Sequence, residues 1–175
     1  TNVCAGATTQ LLSATSGGTW TTSNSSVATV NTSGVVTGVT AGTATITYTV
    51  TNGNGCTSSQ SADINVNSGI TATITAGGAT TFCSGGNVTL TASAGASYLW
   101  SNGAQTQTIT VTASGSYYVT VTSASGCSAV STATSVTVNP LPVVAAITGA
   151  TNVCAGATTQ LLSATSGGTW TTSNS

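Results

Sequence analysis

Short stretches in which apolar and polar residues alternate occur along the whole chain. Residues 43–50 read TATITYTV, so that Ala44, Ile46, Tyr48 and Val50 fall on one side and four threonines fall on the other. Residues 106–112 and 115–122 alternate in the same way. A period of two with many β-branched residues is typical of antiparallel strands that have one buried face and one solvent-exposed face. No segment has the residue spacing of an amphipathic helix.

Glycine-containing turn sequences separate these stretches. Asn52-Gly53 and Asn102-Gly103 are dipeptides that favour tight hairpins, and we expect a hairpin at each of them. Several short strands joined by such turns are typical of a β-sandwich. The predicted fold class is therefore all-β, with immunoglobulin-like antiparallel β-sandwiches in tandem.

The chain contains a long internal repeat. Residues 151–175 are identical to residues 1–25, which gives a period of 150 residues. A weaker duplication divides each period, because each half carries a cysteine, then a tryptophan, then a second cysteine after a glycine: Cys4, Trp20 and Cys56, then Cys83, Trp100 and Cys127. We expect one sandwich over residues 1–67, whose first strand lies upstream of Thr1, and another over residues 68–142. Residues 143–175 are expected to begin a further copy of the first, within a longer natural protein.

The predicted junctions are short. Asn139-Pro140-Leu141-Pro142 ends the second half of the period, and proline stiffens a connection of this kind. Asn67-Ser68-Gly69 ends the first half and is nearly as short. Short junctions favour an extended rod of sandwiches over loosely linked beads.

Charge is almost absent from the sequence. It contains no Lys, Arg or His and a single acid, Asp63, whereas Ser and Thr account for 66 of the 175 residues. Without cations the chain has no basic surface for nucleic acid, and no apolar run is long enough for membrane insertion. Near-zero net charge also promotes association between copies. We therefore weigh a domain kept soluble by its hydroxyls against a chain that assembles laterally or end to end with copies of itself.

The five cysteines, Cys4, Cys56, Cys83, Cys127 and Cys154, are predicted to form structural disulfides. Cysteine pairs flanked by glycine in small β-domains are typical of disulfides in secreted proteins, and no Cys-x-x-Cys or His is present to form a metal site. Two connectivities remain open. One joins Cys4 to Cys56 and Cys83 to Cys127, within each sandwich. The other joins Cys4 to Cys127, and Cys83 to the next copy's equivalent of Cys56, between sandwiches.

Four aromatic residues are predicted to lie in the cores, namely Trp20, Trp100, Tyr48 and Tyr117. Tryptophan on the third strand of an immunoglobulin-like sandwich is commonly buried. The competing interpretation is that Trp20 and Trp100 are exposed platforms on which a sugar ring stacks. One tyrosine of the Tyr117–Tyr118 pair is expected to point outward.

Catalysis and metal binding find little support in the sequence. Hydroxyls are abundant, but no His, Lys, Arg or Glu can act as a general base beside them. Asp63 is flanked by Ala62 and Ile64 in an alternating stretch and is expected to face solvent, and a calcium site would need several converging acids. We therefore expect no enzymatic activity, no catalytic residues, no metal and no cofactor.

Two resemblances to known families follow from local motifs. Asn24-Ser-Ser-Val-Ala-Thr-Val30, Gly34-Val-Val-Thr-Gly38 and Gly42-Thr-Ala-Thr-Ile46 resemble the bacterial Ig-like group 2 (BIG2) domain. Motifs of the second half resemble the PKD-like and Ig-like repeats of very large secreted proteins of Bacteroidetes, and they lie at residues 83–86, 98–103, 115–121 and 126–127. These resemblances imply a secreted or cell-surface adhesin or filament in which such modules act as spacers and stalks.

Two functional hypotheses follow from these observations. The leading hypothesis is a structural subunit of a repetitive extracellular fibre, stalk or surface filament, built from alternating disulfide-stapled Ig-like domains whose partners are copies of the chain itself. The alternative is an array of adhesin modules that bind surface glycans. Ice binding by outward threonines is disfavoured, because the threonine runs lie on separate twisted sandwiches rather than on one flat face.

Overall fold

The computed structural model describes residues 1–173, and Asn174 and Ser175 at the end of the predicted third segment lie outside this range. Within the described residues the chain forms eighteen β-strands and no helix, so none of its elements is a helix that could cross a membrane. The predicted all-β class is therefore confirmed. The alternating stretches form strands because β-branched side chains pack well on a pleated surface that is half buried.

The first sandwich, made by strands β1–β7, contains two sheets. Its strands are β1 (Asn2–Cys4), β2 (Thr8–Gln10), β3 (Thr19–Thr22), β4 (Ala28–Val30), β5 (Val35–Gly38), β6 (Gly42–Thr51) and β7 (Thr57–Asn67). One sheet has the order β1-β7-β6-β3 and the other has the order β2-β5-β4, so that β2 is an edge strand. β1 runs parallel to β7, and the remaining pairs are antiparallel.

The core of the first sandwich lies between these two sheets. Alternate residues of β6 and β7 point inward, where Ala44, Ile46 and Ile64 are fully buried. Val36 on β5 and Ala28 on β4 face them from the other sheet. The intervening threonines and Asp63 lie on the outer face, which is the arrangement that the alternation predicts.

The second sandwich, made by strands β8–β16, repeats this plan. Its strands are β8 (Ile74–Ala76), β9 (Thr81–Cys83), β10 (Val88–Ala92), β11 (Ser97–Trp100), β12 (Thr108–Val111), β13 (Gly115–Tyr117), β14 (Val119–Thr122), β15 (Ser128–Val130) and β16 (Thr134–Asn139). They form three sheets with the orders β12-β10-β8, β11-β14-β15 and β13-β16-β9. Leu90, Val119 and Val121 are fully buried at its centre together with Trp100.

The last two of these sheets together correspond to the four-stranded sheet of the first sandwich. Strands β13 and β14 take the place of β6, and β15 and β16 take the place of β7. The registers on the two sides of the interruption differ by one residue, so that Thr132 and Ala133 together face Tyr118. An extra residue on one strand of an antiparallel pair is a β-bulge, which bends the strand.

Residues 143–173 form only one small sheet. It contains β17 (Thr148–Gly149) and β18 (Leu161–Leu162), which pair antiparallel. Val143, Val144 and Ile147 in this segment are exposed. The segment therefore has strand pairing without a core of its own among the described residues.

Two local predictions are wrong. Asn102-Gly103 forms a turn closed by a bond from the Gly103 N–H to the Trp100 carbonyl, but β11 and β12 on either side belong to different sheets, so the turn does not form a hairpin. Residues 115–122 form two strands instead of one, because the bulge interrupts the ladder at Tyr118. The turn at Asn52-Gly53 does join the paired strands β6 and β7, and the positive φ falls on Gly55.

Candidate functional site

The junction between the two sandwiches is the first candidate site, and one side of it is the turn that carries Cys4. Cys4 ends β1 and lies opposite Asn67, the last residue of β7, so it is placed where the chain leaves the first sandwich. The Ala5 N–H donates to the Asn67 carbonyl at 2.9 Å, and the Ala7 N–H donates to the Cys4 carbonyl at 2.9 Å. These bonds fix the turn, which projects the Cys4 side chain towards the second sandwich.

The other side of the junction is the hairpin between β14 and β15, which carries Cys127. The Ser123 N–H donates to the Cys127 carbonyl at 2.8 Å, and the Cys127 N–H donates to the Ser123 hydroxyl oxygen at 3.2 Å. Gly126 supplies the positive φ of 83° that the turn requires. The Cys127 side chain is almost completely buried, as expected of a cysteine covered by a neighbouring surface.

A disulfide joins Cys4 to Cys127 in the structure. Their Cα atoms are 5.7 Å apart and the residues are separated by 123 positions in the sequence. This Cα separation is within the range that a disulfide spans. The Asn67 side-chain amide donates to the Ser125 carbonyl at 3.5 Å across the same junction. Two sandwiches that are adjacent in sequence are therefore also linked side chain to side chain.

The intradomain pairing of Cys4 with Cys56 and of Cys83 with Cys127 is not the pairing in the structure. Cys4 lies beside the last residue of β7, whereas Cys56 immediately precedes the first. A strand of this length extends roughly 30 Å, several times the reach of a disulfide. Cys4 and Cys56 therefore lie at opposite ends of the first sandwich.

The remaining three cysteines, Cys56, Cys83 and Cys154, have no disulfide partner among residues 1–173 and are exposed. Cys83 occupies the position in the second sandwich that Cys4 has in the first, because it lies opposite Asn139 at the end of β16. Cys56 occupies the hairpin position that Cys127 has in the second sandwich. The Asn52 N–H donates to the Cys56 carbonyl at 2.9 Å there.

An open groove in the first sandwich is the second candidate site. It has a volume of about 620 Å³ and is lined by two adjacent leucines, Leu11 and Leu12, by an aromatic pair, Trp20 and Tyr48, and by residues 57–62 of β7. The ring centroids of the aromatic pair are 4.5 Å apart, with 44° between the ring planes. Leu12 is 87% exposed beside them. Among residues 1–173 no charged side chain lines the groove, so any occupant would be held by apolar contact and hydrogen bonds.

The four aromatic residues differ in burial. Trp100 is only 2% exposed, and its indole N–H donates to the Thr106 carbonyl at 2.8 Å. Trp20, its counterpart in the first sandwich, is only half-buried, as are Tyr48 and Tyr117. Tyr118 is exposed, which identifies it as the outward member of the Tyr117–Tyr118 pair.

The surface hydroxyls and the single acid form ordinary strand contacts. Asp63 accepts a hydrogen bond from the Thr45 hydroxyl at 2.7 Å on the outer face of the β6–β7 pair. Within residues 1–173 no group of three or more His, Cys, Asp or Glu side chains is arranged to hold a metal ion.

Sequence reasoning missed the groove. Its signal is the Leu11-Leu12 pair, which breaks the alternation so that one leucine must point away from the core of its own sandwich. Two adjacent leucines do not reveal which element covers the outward one, because that depends on the order of strands in the sheet. Here β2, which directly precedes them, is an edge strand.

Comparison with known proteins gives a family match for one part of the chain. No protein of curated function matches the chain. Among solved structures, murine CEACAM1b has 18% identity and a TM-score of 0.34, over 66% of this chain and 70% of that one. Domains 1–6 of the surface layer protein SbsC have 20% identity and a TM-score of 0.28, over 77% and 21%.

A third similar structure is the Bacteroides ovatus mixed-linkage glucan utilization locus protein SGBP-B in complex with a mixed-linkage heptasaccharide, with 14% identity and a TM-score of 0.26 over 78% of this chain and 42% of that one. The chain thus spans about a fifth of the SbsC fragment and less than half of SGBP-B. Residues 3–61, which include strands β2–β6, match the family described as bacterial Ig-like domain (group 2).

Proposed function

We propose that this chain is a structural segment of a repetitive extracellular fibre, stalk or surface filament, secreted or held at the cell surface. The observation that carries the proposal is the Cys4–Cys127 bond, which links one sandwich to the next instead of closing either of them. A disulfide of this kind persists in an oxidising compartment outside the cytosol. The exact repetition of residues 1–25 at 151–175 supports an array in which the same junction recurs.

The bond gives the junction two covalent connections in place of one. The main chain leaves the first sandwich through Asn67 and Ser68, and the disulfide lies beside it because Cys4 is paired with Asn67. One flexible connection lets two bodies rotate freely, whereas two adjacent connections restrict both bending and twisting. This restriction is the mechanical property that a stalk or fibre requires.

The surface chemistry supports contact between copies. One acid and no cation among 175 residues leave almost no electrostatic repulsion to oppose association. The outer faces of β6 and β7 present threonine and serine hydroxyls, which both donate and accept hydrogen bonds. Such faces are suited to lateral contact between copies, which we propose as the chain's partners.

The other junction of the repeat is proposed to close in the same way. Cys83 has the turn geometry of Cys4: the Ser84 N–H donates to the Asn139 carbonyl at 2.8 Å, as the Ala5 N–H does to Asn67. Cys56 has the hairpin geometry of Cys127: its N–H donates to the Asn52 side-chain oxygen at 3.0 Å. We expect Cys83 to bond to the next copy's equivalent of Cys56. A small disulfide such as oxidised glutathione accepts the two electrons and becomes two thiols, as the two cysteine thiols lose their protons and form the bond.

The first junction is tested by small-angle X-ray scattering of the whole chain. In Cys4→Ser and Cys127→Ser we expect the fixed angle between the sandwiches to become a broad distribution of angles. The scattering should then require a broad range of radii of gyration, while the circular-dichroism spectrum stays that of the wild type. Cys56→Ser is the matched control and should scatter as the wild type does. Equal scattering from Cys4→Ser and wild type would refute the mechanical role of the bond.

The second junction is tested in a chain extended by another copy of residues 26–67, which completes the third sandwich. After oxidation by glutathione disulfide we expect two free thiols by maleimide labelling, at Cys56 and Cys154. Cys83→Ser should expose one further thiol, on the added copy of Cys56. In Cys154→Ser the added copy of Cys56 should stay bonded. A free thiol on this added copy in Cys154→Ser would instead show that it pairs with Cys154 within the third sandwich.

Assembly into a fibre is tested by electron microscopy of the native material. Regular filaments with a repeat that matches two sandwiches are expected, with contacts between copies that bury more than about 1,000 Å². Isolated flexible strands without lateral or end-to-end contacts would contradict the fibre.

A glycan-binding module is the second candidate function. The observation that favours it is the half-exposed Trp20–Tyr48 pair in the open groove, since aromatic faces stack on sugar rings. Isothermal titration calorimetry of the chain with β-glucan oligosaccharides tests this function. Saturable binding heat that Trp20→Ala abolishes and that the control variant Trp100→Phe retains would support it.

A further inference from the structure

The groove of the first sandwich has a covered counterpart in the second sandwich. In the second sandwich the counterpart of β2 is β10, which lies between β12 and β8. The edge of β10 that pairs with β8 corresponds to the free edge of β2. Ile74 of β8, with Ile70 and Ala72 just before it, packs on the core that contains Trp100. A leading strand of this kind accounts for the burial of Trp100, whereas Trp20 remains half-exposed.

The segment at residues 143–149 forms the same pairing in the third copy. Leu161 pairs with Gly149 and Leu162 pairs with Thr148. In the second sandwich Leu90 pairs with Ala76 and Thr91 pairs with Thr75. Leu90 and Leu161 follow their turn cysteines, Cys83 and Cys154, at the same distance in sequence. On the other strand, Ile147-Thr148-Gly149 aligns with Ile74-Thr75-Ala76, so equivalent residues pair in the two copies.

A hydroxyl bridge holds the residues just before each of these strands. Ala145 N–H donates to the Thr165 hydroxyl oxygen at 2.7 Å, and that hydroxyl donates to the Val143 carbonyl at 3.4 Å. In the second sandwich the Ser93 hydroxyl oxygen accepts from the Thr73 N–H at 3.2 Å and donates to the Thr71 carbonyl at 3.0 Å. In each case one hydroxyl accepts a hydrogen bond from the N–H of one residue and donates to the carbonyl of the residue two positions earlier.

We propose that the groove of the first sandwich binds residues 143–149 of a second copy of the repeat as an added β-strand. Leu11, Leu12 and Thr15 of the groove are identical in sequence to Leu161, Leu162 and Thr165, which hold this segment in the third copy. The strand pairs with the open edge beside β2, and main-chain hydrogen bonds of this kind are the basis of strand addition. Val143, Ala145 and Ile147 then point towards Trp20 and Tyr48, because alternate residues share a face.

The chemistry of the segment fits the groove. The segment carries apolar side chains at alternate positions, Val143, Ala145 and Ile147, just as Ile70, Ala72 and Ile74 supply the apolar side chains that pack on the second core. Both surfaces are uncharged, so no desolvated charge opposes the contact. This inference rests on the proposed function in one respect, since an array supplies the second copy.

The test places a copy of residues 140–150 in front of Thr1 of the whole chain, in a Trp170→Phe background so that emission comes from Trp20 and Trp100. The added strand should move Trp20 emission to shorter wavelength, reduce its quenching by acrylamide and raise the unfolding midpoint of the first sandwich by at least ~4 °C. Ile147→Asn in the added copy should abolish these changes, because Ile147 faces the core. Thr148→Asn in the added copy is the matched control and should preserve them, because Thr148 faces outward.

Two results would overturn the inference. One is an unchanged Trp20 emission in the extended chain. The other is an oligosaccharide that binds Trp20 with equal affinity whether or not the strand is added, since the strand must exclude any other occupant. If fibres failed to assemble, the added strand would still shift the Trp20 emission, so the two proposals fail separately.

Discussion

A tryptophan occupies an equivalent position in each of the two sandwiches, but the two side chains differ in burial. Trp100 is buried and its indole N–H is bonded to the Thr106 carbonyl, whereas Trp20 stacks at an angle on Tyr48 and borders an open groove. Their strands, β11 and β3, hold equivalent places in their sheets. The difference lies in the leading strand, since β8 covers the second core and β2 is an edge in the first. A core position in a small sandwich is thus defined by the strand order as much as by the residue.

The sandwiches also differ in the hairpin that β6 and β7 form in the first sandwich and that β13–β16 form in the second. β6 and β7 pair without interruption from Gly42 to Thr51. In the second sandwich the pair of Tyr48 with Gln60 is replaced by Val119 and Ser131, and the Ser131 hydroxyl oxygen accepts the Val119 N–H at 3.1 Å. Here a side chain substitutes for the main-chain carbonyl that the bulge removes. The second sandwich therefore depends on one buried hydroxyl where the first depends on a regular ladder.

Replacing the tryptophans gives the largest expected contrast. Trp100→Ala should lower the free energy of unfolding of the second sandwich by about 3–5 kcal/mol, because it leaves a cavity in a closed core. Trp20→Ala should cost the first sandwich about half as much, since solvent already reaches that side chain. Hydrogen–deuterium exchange read by mass spectrometry separates the two sandwiches. Equal losses would show that the difference in burial is not energetic.

The buried hydroxyl gives the next largest effect. Ser131→Ala should cost the second sandwich about 1–3 kcal/mol, because the buried Val119 N–H loses its acceptor. Gln60→Ala at the equivalent position of the first sandwich should change stability by less than ~0.5 kcal/mol, because that side chain is exposed. Urea denaturation of each variant measures both changes in the free energy of unfolding. A loss of the same size at Gln60 would contradict the role assigned to the bulge.

Two tyrosine hydroxyls provide the smallest and most closely matched test. The Tyr48 hydroxyl accepts from the Gly18 N–H at 2.7 Å and donates to the Thr15 carbonyl at 3.0 Å, and the Tyr98 hydroxyl bridges the N–H and carbonyl of Gly95. Tyr48→Phe and Tyr98→Phe should each cost about 1 kcal/mol. Thermal unfolding of the two variants should give shifts of similar size, and no shift in either would show that water replaces the bond at no cost.

The strands were predictable because their alternation is a local property. Residues 43–50 show it without interruption, and their strand, their inward side chains and the hairpin that follows are all in the structure. The break at Tyr118 was not predictable, because Thr132 and Ala133 lie on the partner strand and nothing around Tyr118 marks the extra residue. Asn102-Gly103 was assigned to a hairpin because the dipeptide specifies a turn and not which strands pair across it.

The candidate site was only partly accessible from the sequence. The positions of the cysteines in a turn and a hairpin follow from the glycines and strands around them, but two connectivities were compatible with those positions. Choosing between them requires the length of β7, which separates Cys4 from Cys56, and the orientation of the second sandwich, which brings in Cys127. The groove depends on strand order, so neither Leu11 nor Leu12 reveals it alone.

The Cys4–Cys127 bond joins the two sandwiches instead of closing either one, and the single acid of the chain allows this to be measured directly. A protease that cleaves before aspartate cuts only at Asp63, giving one fragment with Cys4 and Cys56 and another with Cys83, Cys127 and Cys154. With free thiols blocked and the chain denatured, we expect the fragments to migrate together until a reductant is added, and we expect Cys127→Ser to release them. Separation of the wild-type fragments without reductant would rule out a bond between the sandwiches.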